Sequence, residues 1–368
     1  MKIGVLTSSR ADYGIYLPLL NKLKNDDFFE IELIVFGTHL SREHGYTISD
    51  IKKDSYKKIH EIKSLIEDDS KKGIVISYGN TVSEFAEFWK NNIYDLVFSL
   101  GDRFEMSAAV QSSIPFGIKL AHIHGGETTL GAIDNIYRHQ ITIASDMHFV
   151  TTADNMVKVK NLKGNSEKIY DVGSLSLNNI DKFKPVEKLI FLDKFKIPND
   201  PFALVTFHPE TVSTDDNLLY VKEMKNALTL LSEKINIIIT MPNADTLGSL
   251  YRNELKDLKI KNPGTIFLIE NFGKINYFNA MYYAAILIGN TSSGIIEAAS
   301  FNKYVVNVGN RQKGRSCGEN VYNVSFKSND IINSTYNLLN KNNYNGPNIY
   351  FKENPAQKII EILKKSKD

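Results

Sequence analysis

The sequence predicts an α/β fold made of two doubly wound domains, and three observations carry that expectation. Apolar runs of strand length recur along the chain, each ends in a polar or glycine-containing loop, and segments with apolar positions at helical spacing lie between them. Strand, loop and helix in alternation mean a parallel sheet covered on both faces. At 368 residues the chain also exceeds the size at which one hydrophobic core stops growing, so two cores are expected.

The first set opens with KIGVLT running into SSRADYG, followed by the helical YGIYLPLLNKLKN. IELIVFG, YDLVFSLGD, IKLAHIHGG and DMHFVTT repeat the strand-and-loop form, with TVSEFAEFWKNN as a further helix. The alternation pauses between Leu175 and Pro201, where lysines and prolines accumulate, then restarts with FALVTFHPE, INIIITMPN, TIFLIEN, AILIGNTSSG and YVVNVGN. An N-terminal domain over residues 1–175 and a C-terminal domain over 176–354 are therefore expected. The closing NPAQKIIEILKKSKD is amphipathic, and a helix over 355–368 is expected to pack back on the first domain. Ligands of such folds bind in the crevice at the carboxyl ends of the strands, so the strand-end loops are where chemistry is expected.

Composition narrows the function classes. An apolar content of 42% and an aromatic content of 11% are those of a folded globular chain. Lys+Arg 44 against Asp+Glu 42 leaves a formal charge of +2, which gives no global electrostatic case for nucleic acid or a membrane surface. Any anion must be held locally. The single cysteine, Cys317, excludes an intramolecular disulfide and a multi-cysteine zinc site, and fits a reducing compartment. The N-terminal apolar run is too short for a signal segment and no stretch nears 18 apolar residues, so a cytoplasmic location is expected. No G-x-G-x-x-G follows the first strand, and GNRQKGRS has Arg315 where a phosphate-binding loop needs lysine.

Candidate residues stand at the strand ends. In IGNTSSGIIEAAS helix periodicity runs from Gly294 to Ala299, and Thr291, Ser292 and Ser293 either cap that helix or, with its free amides and dipole, hold a phosphate. Arg10 in SSRADYG and Arg103 in FSLGDRFE follow strands of the first domain. An arginine there is ordinarily a solvated group, yet these two with Arg311 in VGNRQKGR are suited to neutralise a diphosphate bidentately. Asp102 is either the N-cap of the next helix or a carboxylate held in a partly desolvated cleft for proton transfer. His208 in VTFHPET stands in the same kind of position in the second domain, where a histidine is more often hydrogen-bonded structure than catalyst.

HIHGGETTLGAIDNIYRH gathers three of the eight histidines with Glu127, Asp134 and Arg138. The glycine pair allows a tight loop bearing Glu127, and Asp134 begins a helix carrying Arg138 and His139. Zinc would need ligands beyond His122 and His124 that the sequence does not supply, so proton transfer is expected here and no metal.

With these residues assembled, SSRADYG, GDRFE, HIHGGE with GAIDN and RH, FHPE, MPN, GNTSSGIIE and VGNRQKGRSCGENV resemble the UDP-N-acetylglucosamine 2-epimerase family. The order matches, the likeness covers nearly the whole length, and the branch resembled is the hydrolysing one of sialic- and legionaminic-acid precursor synthesis. The resemblance implies two Rossmann-like domains facing a central cleft, as in GT-B glycosyltransferases, with the nucleotide sugar between them and the chain in a dimer or tetramer. It puts Arg10, Arg103, Arg138, Ser292, Ser293, Glu297 and Arg311 at the nucleotide or substrate, Asn243 and His208 along the cleft, and Asp102, Glu127 and Asp134 in the catalytic loops. His124 stands where some hydrolysing relatives carry glutamate, so acid-base duty there falls to Glu127 or His124. The reversible branch has Gly-Asp-Thr and HVEAGLRT where this chain has Gly101-Asp102-Arg103 and HIHGGE, a contrast that favours hydrolysis. The implied reaction is anti elimination of the nucleoside diphosphate across C1 and C2 of a 2-acetamido sugar, then addition of water, without metal or redox cofactor. UDP-GlcNAc giving ManNAc and UDP is the first expectation, and a UDP- or GDP-linked 2,4-diacetamido sugar the alternative. A GT-B glycosyltransferase, which needs an acceptor, and a non-catalytic nucleotide-sugar sensor are the rival functions.

Overall fold

The computed structural model describes residues 1–42, 45–68, 70–212, 214–242 and 248–366. Two compact units emerge: the first comprises Met1–Glu127, Asp134–Asn179 and Tyr350–Asp368, the second Thr128–Ile133 and Ile180–Ile349.

The first unit is built on seven parallel strands: β1 (Lys2–Thr7), β2 (Glu30–Phe36), β3 (Ile59–Ile62), β4 (Leu96–Leu100), β5 (Leu120–Ile123), β6 (Met147–Val150) and β7 (Ile169–Asp171), in the order β3-β2-β1-β4-β5-β6-β7. Why these runs are apolar at every position is visible in their packing. Ile3 and Val5 of β1, Leu33 and Val35 of β2 and Phe98 of β4 enter one core. Leu6, Ile34, Phe36 and Val97, the alternate residues, enter a core on the other face. A period of two with both faces covered is the signature of a doubly wound sheet. Helix Pro355–Lys365 belongs to this unit, where it buries Ala356, Ile359, Ile360 and Leu363 in the first of those cores. Lys364 pairs with Asp26 at 2.6 Å.

The second unit repeats the plan with β8 (Phe202–Thr206), β9 (Asn236–Thr240), β10 (Ile266–Ile269), β11 (Ile286–Gly289), β12 (Val305–Val308) and β13 (Val321–Val324) in the order β10-β9-β8-β11-β12-β13. Val205, Ile237, Ile239 and Ile288 line one core, and Leu204, Ile238 and Leu287 the other. The pause before β8 holds a helix of its own, Lys188–Phe195, which buries Phe191 and Leu192. Thr128–Ile133 joins this unit through Leu130 N–H to Lys313 C=O at 2.9 Å and Ile133 N–H to Thr211 Oγ1 at 3.1 Å. Among the described residues no helix is long and apolar enough to cross a membrane.

Each sheet reverses its winding once, between β1 and β4 in the first unit and between β8 and β11 in the second. Loops flanking such a reversal diverge and leave room for a ligand at the strands' carboxyl ends.

Candidate functional site

In the first unit, the loop after β1 runs into helix Arg10–Lys24. Ser9 caps it: its hydroxyl accepts from the Asp12 N–H at 3.3 Å and the Asp12 carboxylate accepts from the Ser9 N–H at 3.1 Å. Arg10, the first residue of that helix, is exposed. Burial pushes the Asp12 carboxyl up against the hydrogen bonds of Ser8 and the charge of Arg103. Arg103 itself is held by Glu105, a buried carboxylate, with Nε at 3.2 Å from both oxygens and Nη2 at 3.1 Å from one. It also occupies the N-cap position of helix Phe104–Ser113, so Asp102 is not that cap.

Asp102 instead pairs with Arg138 across 36 residues of sequence. Arg138 lies on helix Asp134–Ala144 and is 2% exposed. Its second terminal nitrogen donates to the Glu127 carbonyl at 2.9 Å, so one guanidinium ties two strand-end loops together. The Glu127 carboxylate, itself buried, accepts from Thr151 Oγ1 at 3.1 Å and stands 3.3 Å from His124 Nδ1. Asn155 Nδ2 in turn donates to Thr151 Oγ1 at 2.9 Å. The local backbone explains how His124 and Glu127 meet. β5 ends at Ile123, His124 turns out of the strand at φ +67°, and Gly126 at φ +79° lies so close to the Asn155 carbonyl that a side chain there has no space. Asp134 begins its helix, half-buried.

The second unit gathers its residues around Asn290, which is fully buried. The His208 N–H donates to Asn290 Oδ1 at 2.7 Å and Asn290 Nδ2 donates to the His208 carbonyl at 2.8 Å, which clamps the loop after β8 to the loop after β11. The Asn290 carbonyl accepts from Gln312 Nε2 at 3.0 Å and Arg311 Nη1 at 3.4 Å, which adds the loop after β12. Glu210 braces that loop by accepting from the Asn310 N–H at 2.5 Å; burial pushes its carboxyl up, against the amides of Asn310 and Arg311 and the Arg311 charge. Ser292–Ile296 is a short helix followed by a 3-10 turn at Ala298–Phe301, two residues earlier than the periodicity predicts and broken at Glu297. Thr291 holds the N-cap position without a side-chain capping bond, and the Ser293 hydroxyl is 2.8 Å from Tyr277 OH. Burial lowers the Lys274 ammonium, which the Glu297 charge opposes.

The structure thus brings Asp102, Arg138, Glu127 and His124 into one connected cluster, with Arg103 directly after Asp102 in the same loop, and places His208, Ser292, Ser293 and Arg311 around the three loops that meet at Asn290. Asn243 lies outside the described residues. Thr151, Glu210, Asn290 and Gln312 had no local signal: each is polar in a strand-end motif, but its partner is distant in sequence; Glu105 pairs with Arg103 two residues away and was legible only as part of GDRFE. Among the described residues no group of three or more His, Cys, Asp or Glu is placed to hold a metal ion.

Comparison with known proteins gives a consistent result. The family model described as UDP-N-acetylglucosamine 2-epimerase matches residues 21–364. The UDP-N,N'-diacetylbacillosamine 2-epimerase (hydrolyzing) of Legionella pneumophila is 30% identical over 364 residues, 99% of this chain and 95% of that protein. The Polysialic acid biosynthesis protein P7 of Escherichia coli is 32% identical over 368 residues, covering 99% and 93%. Among solved structures, UDP-GlcNAc 2-epimerase from Neisseria meningitidis bound to UDP-GlcNAc superposes with a TM-score of 0.81 at 18% identity, over 99% of this chain and 100% of that one. At that identity the likeness shows a shared fold.

Proposed function

This chain belongs to the UDP-N-acetylglucosamine 2-epimerase family, and we propose that it is the hydrolysing enzyme, converting UDP-GlcNAc and water to ManNAc and UDP. The observation that carries this is the connected Asp102–Arg138–Glu127–His124 cluster on strand-end loops: paired acid-base groups with an arginine that orients them, as hydrogen transfer at a sugar carbon requires. The C2 hydrogen is not acidic, so loss of the nucleotide leads. The C1–O bond breaks, its electrons leave with UDP, a carboxylate takes the C2 proton and a C1=C2 bond forms. Water then adds its hydroxyl to C1 while a proton reaches C2 from the opposite face.

Each unit has its share. In the second, Ser292, Ser293 and Arg311, with amides at the start of the short helix, stabilise the departing diphosphate, while Glu297, His208 and Asn243 are assigned the remaining nucleotide contacts. In the first, Arg10 and Arg103 are phosphate contacts, and the proton-transfer groups are Asp102 with Glu127 or Asp134. Asp102, ion-paired to Arg138, presents a carboxylate that only accepts. The pair at 3.3 Å lets Glu127 and His124 share one proton, so either delivers it.

A second substrate is favoured by a specific finding, the 30% identity to an enzyme named for UDP-N,N'-diacetylbacillosamine. Turnover of both nucleotide sugars side by side, without any acceptor and in heavy water, tests the proposal. Release of free 2-epimer with deuterium at C2 is expected; a product retaining its C2 hydrogen, or no release until an acceptor is added, rules it out. We also propose a dimer or tetramer. Exposed Val75 and Ile76 on helix Lys71–Asn91, and Ile136 and Ile143 on helix Asp134–Ala144, support it, with Tyr78 and Tyr137 stacked between the two helices at 6.1 Å.

A further inference from the structure

Histidine 122 has no part in the chemistry above, yet it is wholly buried beside it. Its Nε2 lies 2.9 Å from the Gly101 carbonyl and its Nδ1 3.1 Å from Thr142 Oγ1. A backbone carbonyl only accepts, so Nε2 carries the ring proton. Nδ1 is then a bare lone pair, and the Thr142 hydroxyl must donate to it. The fold therefore dictates one tautomer. Burial pushes the imidazole down to about 3 against the pull of the Gly101 carbonyl, and the charges of His148, Arg138 and His124 push the same way, so the ring stays neutral and both bonds persist.

The two ends of this bridge matter because of what lies next to them. Gly101 turns at φ +80° immediately before Asp102, and Thr142 follows Arg138 by four residues on the same helix and the same face. We propose that His122 is a positioning residue for the Asp102–Arg138 pair: a neutral strut joining the turn that presents Asp102 to the helix that presents Arg138. Gly125 belongs to the same device. A Cβ there would stand 2.9 Å from His122 Nδ1 and 3.2 Å from Thr142 Oγ1, so only glycine leaves the bond undisturbed. Gly125 is not required by a left-handed backbone, whereas Gly126 is, and the two glycines of HIHGGE thus have separate reasons.

The positioning role rests on the epimerase reading, while the strut is measurable without turnover. Nitrogen-15 NMR of the histidine rings should show His122 as the Nε2–H tautomer, with no titration between pH 5 and 8. An Nδ1–H ring, or one that titrates in that range, overturns the strut. In turnover, Thr142→Val removes the donor with little change of shape and should lower kcat about ten- to a hundredfold at nearly constant KM, as a slight misplacement of the acid-base pair would. Thr142→Ser restores the donor and should recover most of the rate, and Gly125→Ala should reproduce the loss. A Thr142→Val enzyme with unchanged kcat, or a loss that Thr142→Ser shares, removes the positioning role. A wild-type protein with the stated tautomer that turns over neither sugar sinks the epimerase reading and the positioning role with it.

Discussion

Arg138 shows how one buried side chain serves two loops. Its guanidinium reaches the Asp102 carboxylate and the Glu127 carbonyl through different nitrogens, a fork that an ammonium does not reproduce. Arg138→Lys is therefore expected to lower kcat about a hundredfold and to destabilise the protein by about 2–4 kcal/mol, since a buried pair is left mispaired. Steady-state kinetics and urea unfolding measure both, and a lysine variant with normal kcat would show that the fork is dispensable. Glu127→Gln tests the proton instead of the geometry. The amide still accepts from Thr151 but exchanges no proton with His124, so kcat should fall about 10²- to 10⁴-fold with the fold intact. If kcat survives, His124 or Asp134 acts alone. At this scale the sequence displays residue types but not their partners: Asp102 and Arg138 lie 36 positions apart, and the helix-cap alternative for Asp102 fails only because Arg103 takes that place.

Elements place these residues through a few backbone constraints. Gly289 ends β11 at φ +141°, and a Cβ there would run into the Thr206 carbonyl of β8. Gly289→Ala must push the two central strands apart just before Asn290, at a cost of about 3 kcal/mol or more, and nucleotide affinity should fall with stability. Calorimetry with and without UDP reads both, and an alanine variant of wild-type stability would contradict the packing. The opposite end of the first sheet has a different function. Glu32 of β2 is buried, which by itself pushes its carboxyl up, but hydrogen bonds from His60, Tyr94, Lys58 and Lys2 overcome that and hold it at about 2. Its folded value lies below its ordinary one of 4.5. The stability it contributes is therefore complete above about pH 4.5 and is lost as pH falls toward 2, amounting to about 2 kcal/mol once screening at the partly exposed lysines is counted. Glu32→Gln should flatten the unfolding free energy in that window, and an unchanged acid limb would show that the cluster carries no such linkage.

For the whole molecule, the alternation of strand and helix was readable because it is local: the period-two packing of Val5, Leu33 and Phe98 against Leu6, Ile34 and Val97 is written in each run. What was not readable is non-local. Residues 128–133 leave the first unit for six positions to join the second, and nothing in TTLGAI marks that excursion. The same holds for Asn290, whose three loops come from β8, β11 and β12. The proposed division of labour has a consequence at this scale. The acid-base cluster lies wholly in the first unit and the Asn290 loops wholly in the second, so chemistry and nucleotide affinity should be separable by mutation. Asp102→Asn keeps an acceptor for Arg138 but takes up no proton, and should lower kcat about a thousandfold while UDP affinity stays within about twofold. Arg311→Ala removes a cation from the diphosphate contacts and should weaken UDP about ten- to a hundredfold, as loss of a charged hydrogen bond does. In thermal unfolding, UDP at 100 times its wild-type Kd should add about 2.7 kcal/mol to wild type and to Asp102→Asn, and clearly less to Arg311→Ala. If Asp102→Asn loses the UDP stabilisation as fully as Arg311→Ala, the acid-base cluster and the Asn290 loops do not carry separate functions.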